Sequence, residues 1–166
     1  MYFYICYKLA HEKKTKFYKI LVAVDGSDHS KRAAGYAIDL ARSNKAQLMA
    51  LTVLNIANIG SASAFIASPM HGLAELNQKR KVAQEWLDEV ARLATSQKKD
   101  NDYIEFKSRI EESMSVAGAI VEFSENENID LIVVGSRGRS GFTKLLLGSI
   151  ASRVVTYATC PVLVIK

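Results

Sequence analysis

The stretch that decides the fold is LIVVGSRGRSGFTKLLLGSIASRVV, residues 131–155. It begins with an apolar run typical of a buried strand and ends with the pattern of a helix start. Four glycines lie between them, at positions 135, 138, 141 and 148. Glycine lets backbone N–H groups approach an anion, and a helix N-terminus adds donors and partial positive charge. The stretch therefore predicts a phosphate cradle, with Ser149 either capping the helix or turning its hydroxyl toward a phosphate oxygen.

The rest of the chain alternates between strand and helix patterns. Apolar runs predict strands at residues 19–25, 46–54, 103–110, 131–134 and 161–165, and the polar alternation of 103–110 places that strand near an edge. Helical spacing predicts helices at 33–41, 73–98, 115–123 and 149–158, and small residues predict a loop at 57–71. This order predicts an α/β fold with a parallel sheet and helices on both faces.

The composition excludes several classes of protein. With 166 residues, 49% apolar and 23% charged, the chain fits one globular domain, and no apolar run is long enough to span a membrane. The two cysteines, Cys6 and Cys160, have no metal or redox spacing, which favours a reduced, cytoplasmic protein. We therefore expect no membrane partner.

The net charge of +5 is concentrated at the N-terminus. Residues 1–19 hold five lysines against one glutamate, so that segment carries +4 of the total. This distribution predicts a basic extension at residues 1–16 and a nearly neutral domain at 17–166, and argues against a nucleic acid partner. The extension is interpreted as a disordered arm, an interaction tag or the product of an upstream start codon.

Two common nucleotide motifs do not fit. The turn after the first predicted strand, Gly26-Ser27-Asp28, has a single glycine, so it lacks the G-x-G-x-x-G fingerprint of dinucleotide-binding proteins. A Walker loop requires G-K-[ST], whereas Gly148 is followed by Ser149. The remaining pattern is Gly135-x2-Gly138-x9-Gly148-Ser149.

With this pattern, the chain closely resembles the ATP-binding branch of the universal stress protein family, whose signature is G-x2-G-x9-G-[ST]. The starting run VAVDGS and the final run CPVLVI also resemble the family, so the similarity covers about residues 17–166. The resemblance implies a three-layer, Rossmann-like, adenine nucleotide alpha hydrolase-like fold, with the five parallel strands in the order 3-2-1-4-5. Ligands of such sheets bind where the winding reverses, so Asp25 and Gly135 should lie side by side.

The candidate nucleotide-binding residues follow from the glycine pattern and from the resemblance. Asp25 is placed either to cap its own turn or to accept hydrogen bonds from ribose hydroxyls. Arg137 and Arg139 either neutralise phosphates or are simply solvated, and the resemblance brings backbone groups of Ala23 and Val53 to the adenine edge. The full candidate set is Ala23, Asp25, Val53, Val134, Gly135, Ser136, Arg137, Gly138, Arg139, Ser140, Gly141, Gly148, Ser149, Ile150 and Ala151.

No catalytic or metal-binding constellation is visible. The three histidines show no ligand pairing, and Asp25 is the one carboxylate that the pattern places in the site, so Mg²⁺ would be held mainly by the phosphates. The first interpretation is a regulatory stress-response module that binds ATP, hydrolyses it slowly or not at all, and acts through a protein partner. The alternatives are a slow ATPase or nucleotidyl-transfer enzyme, and a non-nucleotide interaction protein like the family's other branch.

The last predicted strand carries an expectation about assembly. In the order 3-2-1-4-5 the apolar run Val162-Leu163-Val164-Ile165 lies on an open edge, which is an aggregation hazard unless it is covered. The resembling family commonly dimerises through this strand. We therefore expect a two-fold homodimer in which this strand pairs with that of a second copy.

Overall fold

The computed structural model describes residues 4–6, 16–58, 69–96, 103–139 and 147–166, and the strands of these segments form one sheet. In chain order the strands are β1 Tyr4–Cys6, β2 Lys19–Ala23, β3 Gln47–Asn55, β4 Phe106–Ser113, β5 Leu131–Gly135 and β6 Val162–Ile165. Across the sheet they run β1-β6-β5-β2-β3-β4, and β2 to β6 are mutually parallel. The predicted order 3-2-1-4-5 of the five parallel strands is confirmed, as is the edge position of β4.

Four α-helices of the described segments cover the two faces of this sheet. They are α1 Asp28–Asn44, α2 Pro69–Thr95, α3 Val116–Asn126 and α4 Ser149–Tyr157, and a short 3-10 turn, Ile56–Asn58, follows β3. Most of the predicted loop, residues 59–68, lies outside the described residues. No helix in the described segments is both long and apolar enough to cross a bilayer.

Alternation along the strands divides the core into two layers. In β2, Ile20 and Val22 pack with α1 and α2 on one face, while Leu21 packs with α3 and α4 on the other. All three of these side chains are fully buried. A strand with both faces buried explains why β2 reads as a continuous apolar run.

The start of α1 is fixed by local capping, which also shapes the turn after β2. Ser27 is the N-cap, and its hydroxyl accepts a hydrogen bond of 3.2 Å from the backbone N–H of Ser30. Asp28 adds a negative charge to the first turn, where the helix dipole favours it. The C-cap of the helix is Lys45, which has a left-handed φ of 53° and donates its backbone N–H to the carbonyls of Ala41 and Arg42.

The N-terminal segment changes the expected edge of the sheet. Tyr4–Cys6 pairs antiparallel with Val162–Ile165, with Tyr4 opposite Val164 and Cys6 opposite Val162. The expectation that Val162–Ile165 is an open edge is therefore wrong, because a strand from the same chain occupies it. The homodimer expected through this strand depended on unpaired backbone groups, and Tyr4–Cys6 now pairs with that edge.

Candidate functional site

A crevice of about 720 Å³ opens at the carboxyl ends of the parallel strands. It lies where the neighbouring strands β2 and β5 end and their chains leave to opposite faces, which is the usual ligand position in open α/β sheets. Its volume is typical of small-molecule sites. Twelve predicted site residues line it: Ala23, Asp25, Val53, Val134, Gly135, Arg137, Gly138, Arg139, Gly148, Ser149, Ile150 and Ala151.

Three of the predicted residues stand apart from this lining. Ser136 is 2% exposed and lies behind the crevice wall, where its backbone N–H donates to the carbonyl of Ile165 over 2.6 Å. Ser140 and Gly141 fall outside the described residues. Ser136 therefore supports the glycine segment from behind and does not itself face the crevice.

Asp25 takes the first of the roles that the sequence left open, since it caps its own turn. Its Oδ1 accepts hydrogen bonds from the Ser27 backbone N–H at 3.1 Å and from the Ser27 hydroxyl at 2.6 Å, which closes the turn before α1. Its Oδ2 lies next to Gly138 across the crevice floor. One oxygen holds the turn, and the other is directed toward the glycine segment.

Gly135, the last residue of β5, and Gly138 are required by close packing. A Cβ on Gly135 would lie 2.8 Å from the backbone carbon of His29, so the glycine lets β5 approach the first turn of α1. A Cβ on Gly138 would lie 2.6 Å from Asp25 Oδ2. Among the described glycines only Gly26, at φ 79°, has a positive φ. Space, and not an unusual backbone conformation, explains Gly135 and Gly138.

The start of α4 forms another side of the crevice. Its N-cap is Gly148, which makes no side-chain capping bond and donates its N–H to the Ser136 carbonyl over 2.7 Å. Ser149 is the first helical residue, so the possibility that Ser149 caps this helix is wrong. The first N–H groups of α4 thus have no side-chain cap, and the hydroxyl of Ser149 lines the crevice beside them.

His29 lies beside the glycine segment, outside the described crevice lining. Its Nδ1 is 3.3 Å from the hydroxyl of Ser136 and 3.3 Å from a guanidinium nitrogen of Arg32. Partial burial, followed by the charges of Arg32 and Arg137, lowers the pKa of His29 below its ordinary value of 6.5, although Asp28 and Asp25 oppose the shift. The imidazole is therefore held neutral near the cradle.

Helix α2 supplies a wall of the crevice that sequence reasoning missed. Gln78, Lys79, Val82 and Trp86 all line it. Helical spacing indicates that Trp86 faces inward, but spacing does not say which part of the sheet a helix will cover. On the facing side, β3 contributes the continuous run from Leu51 to Asn55, of which only Val53 was predicted.

The charge of the crevice favours an anionic ligand. Its described lining contains the cationic side chains of Lys79, Arg137 and Arg139 against the single carboxylate of Asp25, although Lys79 is paired with Glu75 at 2.7 Å. Within the described segments, no cluster of three or more histidine, cysteine, aspartate or glutamate side chains could hold a metal ion. A phosphate-bearing molecule would find backbone donors and positive charge together on the α4 side.

Sequence comparison assigns the chain to a family. The universal stress protein family model matches residues 16–166, nearly the whole chain. The chain belongs to the universal stress protein family. A universal stress protein of Methanocaldococcus jannaschii is 34% identical over 166 residues, covering 99% of this chain and 91% of the relative. Another, from Bacillus subtilis, is 31% identical over 153 residues, covering 90% of this chain and 99% of the relative.

Solved structures of other universal stress proteins share the fold. The protein UspA of Lactobacillus plantarum has a TM-score of 0.73 at 25% identity, with 92% of this chain and 100% of that chain covered. A universal stress protein solved with cAMP has a TM-score of 0.62 at 24% identity, covering 92% and 98%. One from Archaeoglobus fulgidus, solved with dAMP, has a TM-score of 0.61 at 21% identity, covering 90% and 98%. Some structural neighbours thus bind adenine nucleotides.

Proposed function

We propose that this universal stress protein is a cytoplasmic ATP-binding regulatory module of the family's ATP-binding branch. The observation that carries the proposal is the meeting, in one crevice, of the Gly135–Arg139 turn, the start of α4 and the carboxylate of Asp25. The adenine nucleotides bound by structural neighbours support a ligand of this class. The excess of cationic side chains in the lining favours a polyphosphate over a nucleoside.

The shape of the crevice suggests how the nucleotide is oriented. Ala23 and Val53 lie on its strand side and offer an apolar wall to the adenine. Asp25 Oδ2 is available to ribose hydroxyls or to a bound cation, since Oδ1 is occupied by Ser27. The phosphates then extend toward Gly138 and the start of α4, where backbone N–H groups and the Ser149 hydroxyl can donate to them.

A magnesium ion is expected to accompany ATP. Mg²⁺ prefers oxygen ligands and retains several waters, so two or three phosphate oxygens with one protein carboxylate satisfy it. Asp25 is the one carboxylate among the described lining residues, and its oxygens suit this ion. The chain would thus contribute at most Asp25, and the phosphates would hold the metal.

Hydrolysis is expected to be slow or absent. Rapid phosphoryl transfer requires a positioned water and stabilisation of the developing charge. The described lining holds no histidine, and its one carboxylate is tied by Oδ1 to the turn before α1. A turnover well below the typical enzyme value of about 10 per second follows. A turnover above this expectation would instead support the alternative function, a slow ATPase or a nucleotidyl-transfer enzyme.

The proposed organisation assigns residues 17–166 to the nucleotide-binding domain and residues 1–16 to an extension. A regulatory module also requires a protein partner that responds to the bound nucleotide. Pairing of two copies through Val162–Ile165 would first require Tyr4–Cys6 to leave that edge. We therefore propose a nucleotide-responsive module whose strand edge is closed by its own N-terminal segment.

Calorimetric titration tests the proposal directly. We expect ATP with Mg²⁺ to bind to the purified chain, and NAD⁺ at the same concentration to give no heat. A parallel assay of phosphate release should show turnover far below that of typical enzymes. Absence of ATP binding up to millimolar concentration would contradict the proposed function.

A further inference from the structure

The single tryptophan of the chain connects the two turns that form the crevice floor. The indole of Trp86 packs against Gly26 so closely that a Cβ at Gly26 would clash with it. The guanidinium carbon of Arg139 lies 5.4 Å from the centroid of the same indole, within the range of a cation–π interaction. Trp86 thus contacts the turn that follows β2 and also the segment that follows β5.

This contact determines where the charge of Arg139 lies. Arg139 directly follows Gly138 and lines the crevice, as does Trp86. No carboxylate in the described segments forms a salt bridge with Arg139, whose guanidinium contacts the indole. An arginine side chain has many rotamers, and stacking on a rigid ring removes part of that freedom before a ligand arrives.

We infer that Trp86 is a positioning residue that holds the guanidinium of Arg139 at the crevice for the outer phosphates of a nucleoside triphosphate. The inference rests on the proposed function and adds to it a pair of residues that distinguishes nucleotides by their number of phosphates. A nucleoside monophosphate places its one phosphate near the ribose and Asp25. A triphosphate extends further along the glycine segment and brings its outer charges within reach of Arg139. The pair therefore favours ATP over AMP.

The test compares the dissociation constants of ATP and AMP for five variants and the wild type. Trp86→Leu should weaken ATP binding by about 2-fold to 30-fold, the range of a cation–π contact, and weaken AMP binding by a clearly smaller factor. Trp86→Phe keeps a ring and should lose less. Arg139→Met should lose at least as much ATP affinity as Trp86→Leu, and the double variant should lose no more than Arg139→Met alone. Arg80→Met on the same helix is the control, because Arg80 pairs with Glu112 outside the crevice lining.

Tryptophan fluorescence gives a second readout that needs no variant of Trp86. ATP should change the emission of wild-type Trp86, since its phosphates approach the guanidinium that stacks on the ring, and the change should disappear in Arg139→Met. Equal weakening of ATP and AMP in Trp86→Leu and Trp86→Phe would show a merely structural role and overturn the inference. Additive losses in the double variant would overturn it as well. Failure of the wild type to bind ATP would instead refute the proposed function, and this inference with it.

Discussion

Asp25 occupies the space that a side chain at Gly138 would need, since a Cβ built on Gly138 would lie 2.6 Å from Asp25 Oδ2. The two residues follow β2 and β5, neighbouring strands that end at the same side of the sheet. Their closeness brings a carboxylate and the glycine turn into one crevice. It also explains why glycine is required at position 138 although its φ is not positive.

Gly138→Ala is expected to abolish or severely weaken ATP binding while the domain stays folded. The added carbon must displace the Asp25 carboxylate, which then gives up its bonds to Ser27 and enters the ligand space. Gly35→Ala is the matched control, since no atom lies within 4 Å of its Cβ position in α1. That control should gain about 0.5–1 kcal/mol of stability and bind ATP normally. Calorimetry and thermal denaturation measure both, and wild-type affinity in Gly138→Ala would contradict the site.

Asp25→Asn is expected to separate the two functions of that carboxylate. The amide oxygen can still accept the Ser27 hydrogen bonds, so the free energy of unfolding should change little. The loss of charge at the Oδ2 position should weaken binding of ATP with Mg²⁺ by about tenfold.

Asp25→Ala provides the comparison, because it removes both oxygens and should also destabilise the fold by about 1–2 kcal/mol. Calorimetric titration and denaturant unfolding of both variants distinguish the two roles. If Asp25→Asn binds ATP like the wild type, Asp25 serves only the turn before α1.

His29 is expected to make stability depend on pH. Burial, with the charges of Arg32 and Arg137, lowers the pKa of His29 in the folded state below the ordinary 6.5. Above pH 6.5 the imidazole is neutral in both the folded and the unfolded state, so His29 does not lower the free energy of unfolding. As the pH falls below 6.5 the unfolded state binds the proton first, so stability decreases until the folded pKa is passed.

The measurement is the free energy of unfolding between pH 5 and pH 8, together with an NMR titration of the imidazole. His29→Gln should flatten the part of the profile just below pH 6.5. Arg32→Met should move the pKa of His29 back toward 6.5, since it removes the larger of the two lowering charges. An unshifted titration in the wild type would refute this account.

Much of the fold and part of the site could be predicted because their signals are local. Apolar runs and helical spacing located the parallel strands, and the sheet order that the family resemblance implied then brought Asp25 beside the glycine segment. The sequence could not show that Gly148, and not Ser149, is the N-cap of α4, since helix ends read from sequence are uncertain by a residue or more. The glycine spacing constrains the backbone, and it predicted most of the residues between β5 and α4 that line the crevice.

The features that escaped prediction depend on distant parts of the chain. Periodicity shows that Trp86 faces inward, but only the packing of α2 on the sheet brings it to Gly26 and Arg139. The strand Tyr4–Cys6 is three residues long and precedes a lysine-rich segment, so its composition indicated an extension. The pairing that makes it a strand comes from β6, which is far away in sequence.

The edge strand β6 yields a prediction about assembly. Ile132 and Ser136 donate from the β5 side to the carbonyls of Pro161 and Ile165. Because backbone groups alternate in direction along a strand, Val162 and Val164 then direct theirs to the opposite edge, where Tyr4–Cys6 pairs. Removal of residues 1–15 should expose these groups.

We expect the full chain to be monomeric and a chain of residues 16–166 to self-associate through β6, because an uncovered apolar edge strand pairs with a second copy. Val164→Pro in the shortened chain removes the outward N–H and leaves the β5 side intact, so it should restore the monomer. Light scattering gives the masses, and circular dichroism checks that each chain is folded. The relative from Methanocaldococcus jannaschii aligns over 99% of this chain, so its match extends into the N-terminal segment. A shortened chain that stays monomeric would show that Tyr4–Cys6 is not what prevents self-association through β6. A dimeric full chain would place the interface elsewhere.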